Sequence, residues 1–432
     1  MPTAPKPSVT DILDAAPDSD QAGTPVQTET GQETDYEAER NPEYGKITDE
    51  AVARLRNRLG QVVAIEYPYL RYVNQDSITH VARAIGDTNP LYIDPAYAAR
   101  SRFGTLVAPP ALLYACAWGS QDLRHGQGLP GVHGFHSGDG WRLLRPILAG
   151  DELRATKELV RAEPMSGRYA GKKMFLQVEE IRYYNQRDEV VAVQSFPIIR
   201  AEREAAKARG TNSAIEPATY TDADIQRIDA ELAQEIPRGN VPRYWEDTQI
   251  GEAVPPVVKG PLTLPDMITW LMAIGSPHVR TGKYWMEYRK ASPKVAVKDP
   301  ATGIPQAIER VHWDNYMASE IGLPGAYDYG SQRGGYALYW ATNWVGDDGW
   351  VAQMDYQFRG FYFNGDHFRI SGEVVDKWRG ANTGTAYVRV KFSSINQRGA
   401  DIMPGTGVFA LPTRDRPVNF PVDVDADGRA ER

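Results

Sequence analysis

The sequence has a single cysteine, Cys116, among 432 residues. That excludes an intrachain disulfide framework and a cysteine-rich metal site, and it fits a reducing compartment. It also lacks any apolar run long enough to cross a bilayer, so no membrane partner is expected. The N-terminus has neither the basic start nor the apolar core of a secretory signal, and it is too acidic for a transit peptide. A cytoplasmic location is the expectation. Lysine and arginine form no stripe, which argues against a nucleic-acid partner. Basic residues are scarcest at the front. Residues 1–40 carry nine acids against Lys6 and Arg40, which is −7 of the whole chain's −8. With little apolar surface, residues 1–45 are expected to be disordered.

What is present is a globular composition, 42% hydrophobic and 24% charged, at a length that allows two or three domains. Thr48 is placed to cap a helix carrying Val52, Leu55 and Leu59, with Gly60 closing it. The body then repeats itself. Asp76–Gly86 corresponds to Asp266–Gly275, and Leu91-Tyr-Ile-Asp94 to Val311-His-Trp-Asp314. Gly150-Asp151-x-x-Arg154 corresponds to Gly365-Asp366-x-x-Arg369, and Asn185-Gln-Arg187 to Asn396-Gln-Arg398. A period of about 215 residues is a duplicated domain, not a solenoid repeat. In each copy helical periodicity precedes alternating segments such as Lys173–Ile181 and Thr385–Phe392, which implies an α+β fold on an antiparallel sheet. Thr221-Asp-Ala-Asp224 reads as a capping box opening a connector helix with Ile225, Ile228 and Leu232. The expected division is 1–45, a first domain at 46–203, a linker with a helix at 204–240, and a second domain at 241–432.

The string Asp87-Thr-Asn-Pro-Leu-Tyr-Ile-Asp94 resembles the D-x-N-P-x-H-x-D motif of the MaoC-like hydratase/dehydratase family. Arg310-Val-His-Trp-Asp314 and Gly322-Leu-Pro-Gly-Ala-Tyr-Asp-Tyr-Gly330 resemble the same family's H-x-D…G-F-P-G-x-x-A-H-G stretch. Pro242–Asp247, Lys259–Thr263 and Trp344–Gly349 are similar to its other conserved strings. The resemblance spans about residues 46–412. It implies a tandem (double) hotdog, in which a long helix is wrapped by a curved antiparallel sheet in each copy. It further implies a FAS1-like dehydratase first half fused to a MaoC-like second half, acting on an acyl-CoA or acyl-carrier thioester. No metal or redox cofactor is implied, coenzyme A being part of the substrate, and a homodimer of double hotdogs remains open.

In the family a motif Asp and His act on water and the substrate's α-carbon, and a glycine N–H at a helix N-terminus polarises the thioester carbonyl. Neither copy here is complete. The first has Asp87, but Tyr92 stands at the histidine position and Pro110, which has no N–H, at the glycine position. Asp87 equally suits a turn with Asn89 and Pro90. The second copy keeps His312 and Gly330, but Ala307 occupies the acid's place. Asp328 is a replacement carboxyl or a helix cap. Glu309 is another candidate, or a salt-bridge partner of a base such as Arg310. Tyr327 and Tyr329 are candidates for holding a substrate oxygen, or for packing. The catalytic set is therefore read as His312, Gly330 and Asp328, with Tyr329, Tyr327, Glu309, Arg310, Asp87 and Tyr92 around the substrate. Asp94 and Asp314 are expected to be N-caps. The Trp270, Trp285, Trp340 and Trp344 cluster is expected in the core and interface. Gly330-Ser-Gln-Arg-Gly-Gly335 lacks the spacing and lysine of a phosphate loop. The leading activity is reversible water addition to an enoyl-CoA. The rivals are a non-catalytic acyl-CoA-binding partner protein and another hotdog reaction such as thioester hydrolysis.

Overall fold

A computed structural model describes residues 45–117, 129, 131–167, 170–202, 204–206, 215–291 and 295–429. The acidic segment 1–44 lies outside the described residues. Thr48 accepts a hydrogen bond from the Ala51 N–H at the head of the Asp49–Arg56 helix, and Leu55 is buried. The helix stops at Arg56, before Gly60, whose N–H turns away to the Leu159 carbonyl.

Eleven strands form one antiparallel sheet. Strands β1 (Val62–Ala64), β2 (His133–His136), β3 (Gly138–Leu143), β4 (Arg154–Gly167), β5 (Gly171–Tyr184) and β6 (Val190–Ala201) come from the first copy. The second supplies β7 (Ala253–Lys259), β10 (Trp350–Gln357), β11 (Phe368–Arg379), β12 (Ala386–Asn396) and β13 (Gly405–Leu411). The order is β1-β4-β5-β6-β3-β10-β13-β12-β11-β7, with β2 beside β6. The copies are thus joined where β3 pairs with β10, and Asp139 stands opposite Tyr356 there.

The repeat is visible at the level of single bonds. Asn185 Oδ1 accepts the Arg187 and Glu189 N–H groups, as Asn396 Oδ1 accepts those of Arg398 and Ala400. Asp151 accepts from the Leu148 N–H and from Gln186, as Asp366 does from the Phe363 N–H and from Gln397. An Asn whose side chain closes its own turn explains why that residue type sits at both strand ends.

Inside the sheet of the second copy runs the 16-residue helix Gly330–Val345. It is a helix buried on nearly all sides, with Trp340 packed on Phe392 and donating to the Pro255 carbonyl at 3.0 Å. The architecture is the tandem hotdog. Trp270 and Trp340 are fully buried and Trp344 nearly so. The connector helix Asp222–Leu232 has its Thr221/Asp224 capping box, and Glu231 ties it to Arg369 of β11 with two bonds of 2.6 and 2.7 Å. The long stretch before His312 is partly structured, with a helix at Gly282–Ala291 and a two-stranded ribbon of β8 (Ala296–Lys298) and β9 (Pro305–Ala307). No helix among the described residues is long and apolar enough to cross a membrane.

Candidate active site

The N-terminus of the Gly330–Val345 helix is set by the chain entering it. Asp314 caps the short helix Asn315–Ser319 through the Met317 N–H at 2.9 Å. Asn315 then accepts the Ala326 N–H, and the Asp328 N–H bonds to the Tyr362 carbonyl. The chain arrives at Gly330 in a fixed direction, and the amides of the first helical turn have no carbonyl before them within the helix.

His312 ends a 3-10 turn at Ile308–His312. Its Nδ1 lies 2.9 Å from the Tyr327 carbonyl, so Nδ1 carries the proton and donates, leaving Nε2 with its lone pair. The imidazole stacks on the Tyr329 ring at 4.0 Å and meets the Tyr327 ring edge-on at 4.8 Å. Burial holds its pKa below the usual histidine value, against the opposing pull of Glu309. Glu309 is buried, and it accepts from Tyr329 Oη at 2.9 Å and from Ser276 Oγ at 2.5 Å. Burial, then the Glu309 charge, pushes the Tyr329 phenol well above its usual range. His312, Tyr327, Tyr329 and Glu309 therefore come together one residue from Gly330.

Four of the expected residues do not join them: Asp328, Arg310, and the first copy's Asp87 and Tyr92. Both Asp328 oxygens are held by Arg333, at 2.9 and 2.5 Å, with the pair fully buried. Arg333 also donates to the Gly360 carbonyl at 2.7 Å. A carboxylate bound on both oxygens is an anchor for the helix start, not a free base. Arg310 pairs outward with Asp299 at 3.0 Å and Asp314 at 2.6 Å, which leaves its guanidinium committed to two carboxylates.

Pro110 occupies in the first copy the place that Gly330 has in the second. Val107 bridges Leu148 and Ala108 donates to Ile147, just as Tyr327 bridges Phe363 and Asp328 donates to Tyr362. Beside Pro110 lies a small, partly open pocket lined by Asn89, Tyr92, Val107, Asp347 and Trp350 among others. Asp87 lies in the same region. Its Oδ1 accepts the Asn89 N–H at 2.9 Å, the turn expected of it, while its buried Oδ2 has no hydrogen-bond partner among the described residues. Burial raises its pKa to about 7, only partly offset by the Asn89 bond and the charge of Lys259. Lys259 is pushed the other way by its own burial. Its ammonium stands 3.6 Å over the Tyr339 ring and 3.4 Å from Glu235. Burial and then Asp87 push the Tyr92 phenol well up.

A pair absent from the sequence reading faces the Gly330 helix from the first copy. His136 Nε2 is 3.0 Å from Asp139 Oδ1. Asp139 is buried and also receives Tyr114 Oη at 2.6 Å, Tyr356 Oη at 3.0 Å and Gln194 Nε2 at 2.6 Å. A side chain at Gly330 would place its Cβ 2.8 Å from His136 Nδ1. The one signal for this pair is local: His and Asp three apart inside the glycine-rich string Gly134–Gly140. Among the described residues, no group of three His, Cys, Asp or Glu is placed to hold a metal ion.

Residues 65–194 match the family pattern described as "FAS1-like, dehydratase domain region". A UPF0336 protein of Clavibacter michiganensis subsp. michiganensis is 30% identical over 111 residues, which are 25% of this chain and 73% of that protein. A solved MaoC-like dehydratase superposes with a TM-score of 0.59 at 18% identity, over 83% of this chain and 99% of its own. A putative MaoC domain protein dehydratase from Chloroflexus aurantiacus J-10-fl gives 0.50 at 14% identity, over 83% and 96%.

Proposed function

The chain belongs to the MaoC-like dehydratases, with their FAS1-like dehydratase region in its first half, and from that premise we propose that it reversibly adds water to an enoyl thioester, with coenzyme A as carrier, at the N-terminus of the Gly330–Val345 helix. The observation that carries this reading is the position of His312. Its Nδ1 is tied to the Tyr327 carbonyl and its ring lies on Tyr329, the residue before Gly330. A neutral imidazole whose lone pair is on Nε2 accepts a proton from water near pH 7. The Gly330 N–H, aided by the helix dipole, stabilises the enolate-like oxygen that develops on the thioester. Glu309 orients Tyr329, and Tyr329 and Tyr327 fix the plane of the imidazole. Asp328 and Arg333 hold the helix start in place.

The test is incubation with short- to long-chain 2-enoyl-CoAs and 3-hydroxyacyl-CoAs, following the gain or loss of one water by mass. His312→Ala should lower turnover by roughly 10²-fold or more, the usual contribution of a proton-transfer residue. A variant as active as the parent would remove His312 from the mechanism. A second reading, thioester binding without turnover, draws support from Pro110, where the first copy's helix start has no N–H to offer. Acyl-CoA that co-purifies and exchanges no water would favour it, and release of free thiol would point instead to hydrolysis.

A further inference from the structure

We infer that His136, oriented by Asp139, is the second proton-transfer group of this site and takes the place of the motif acid that Ala307 leaves out. The inference rests on the reading above, that the helix N-terminus hydrates or dehydrates an acyl thioester. His136 closes β2 and Asp139 is the second residue of β3, so the pair reaches the second copy's helix across the β3–β10 seam.

Asp139 receives four donors: His136, Tyr114, Tyr356 and Gln194. A carboxylate with that many donors is an acceptor on both oxygens. The bond at Nε2 therefore places the imidazole's N–H there and turns Nδ1 toward Gly330. Among the described residues Nδ1 takes part in no hydrogen bond, the one to Asp139 being at Nε2. The ring is held by Phe196 at 4.4 Å and Phe358 at 5.2 Å, and its side chain keeps 12% exposure.

Two glycines on one face of the helix make this approach possible. A Cβ at Gly330 would lie 2.8 Å from His136 Nδ1. A Cβ at Gly334, one turn on, would lie 2.3 Å from Tyr114 Oη and 2.5 Å from Tyr356 Oη. The helix thus stays bare where the imidazole and the groups behind Asp139 meet it. The residue whose N–H would hold the thioester oxygen is the residue that touches the imidazole, so the atom beside that carbonyl, the α-carbon, is the one His136 serves.

In the hydration direction, the oxygen of water bonds to the β-carbon as His312 Nε2 takes one of its protons. The electron pair of the double bond moves toward the thioester oxygen at the Gly330 N–H. Protonated Nδ1 of His136 then gives its proton to the α-carbon, and the pair returns as the new C–H bond. His312 ends with one proton more and His136 with one fewer, and exchange with solvent restores both. One water has been added, and dehydration is the reverse.

The experiment uses the full chain and the 2-enoyl-CoA panel. A parent protein that hydrates none of the panel overturns the hydratase reading and this inference together. With an active parent, His136→Gln is expected to lower kcat by roughly 10²-fold with KM within about threefold, as for loss of one acid–base group. His136→Ala should recover part of its turnover in added imidazole, which a packing role would not give. Asp139→Asn, the positioning variant, should lower kcat by about tenfold or more at unchanged KM, and it decides the matter if His136→Gln does not fold. Folded variants of either residue with kcat within about threefold of the parent overturn the inference while leaving the hydratase reading intact.

Discussion

Asp87→Asn should stabilise the protein at neutral pH, and the gain should depend on pH in a defined way. Asp87 is 4% exposed, with Oδ2 unpartnered among the described residues and a pKa raised to about 7 from 3.8. Below 3.8 the carboxyl is neutral in the folded and unfolded chains alike. Between 3.8 and about 7 the unfolded chain loses the proton and the folded chain keeps it. Folded-state stability therefore falls with rising pH across that window, at about 1.4 kcal/mol per pH unit, and levels off above it. The whole fall comes to about 4 kcal/mol, an upper bound because the charge of Lys259 relaxes with its surroundings. Asparagine has no such titration, keeps an oxygen for the Asn89 N–H, and brings an amide that needs a partner near Oδ2. Its advantage over aspartate should thus widen as pH rises from 4 toward 7 and stay constant beyond. Urea unfolding of both proteins at a series of pH values measures the gap. A gap that is flat with pH, or that narrows as pH rises, refutes the argument that burial dominates Asp87.

Gly330→Ala keeps the N–H but puts a methyl 2.8 Å from His136 Nδ1 and 2.9 Å from Phe358, where ordinary contacts begin at 3.4 Å. The displacement needed, about 0.6 Å, should lower kcat by roughly tenfold or more, with only about 1–3 kcal/mol lost in denaturant unfolding. Arg333→Met leaves Asp328 buried and unpaired and should cost about 3–5 kcal/mol of stability in the same assay. Because burial lowers the pKa of His312, the acidic limb of kcat/KM should fall below pH 6.5, and a limb above that value would mean that His312 is not the base.

The parts of the fold that local rules govern were legible in the sequence. The Thr48 and Thr221 caps, the Asp94 and Asp314 caps and the Asn185 and Asn396 turns each depend on a few neighbouring residues, and each forms the bonds those residue types favour. The equivalence of Pro110 and Gly330 also follows from the repeat, since it needs only order along the chain. Relations across the sheet were hidden. Nothing local says that Asp139 will face Tyr356, because that register is set by which strands meet at the seam. Asp328 was misplaced for a related reason. Its separation from Arg333 is too large for the neighbour rule within a helix, and only the turn at Tyr329 brings the two together. Glu309 could be named as a candidate, but its link to Tyr329 depends on how the 3-10 turn folds back on the helix start.

The seam between β3 and β10 also bears on how such a protein can change by mutation. In a symmetric pair of single domains every substitution arrives twice. A proline at the first helical position would strip the leading N–H from both helices at once. Here the halves are unlike and covalently joined, so Pro110 alters one helix start and leaves Gly330 untouched. The half whose helix start lacks an N–H is also the half that places His136 against the other's glycine. Each half is free to discard what its neighbour keeps, and the accumulated differences forbid a return to like-with-like pairing. Two copies of the second half would lack the imidazole behind the glycine, and two copies of the first would lack the glycine.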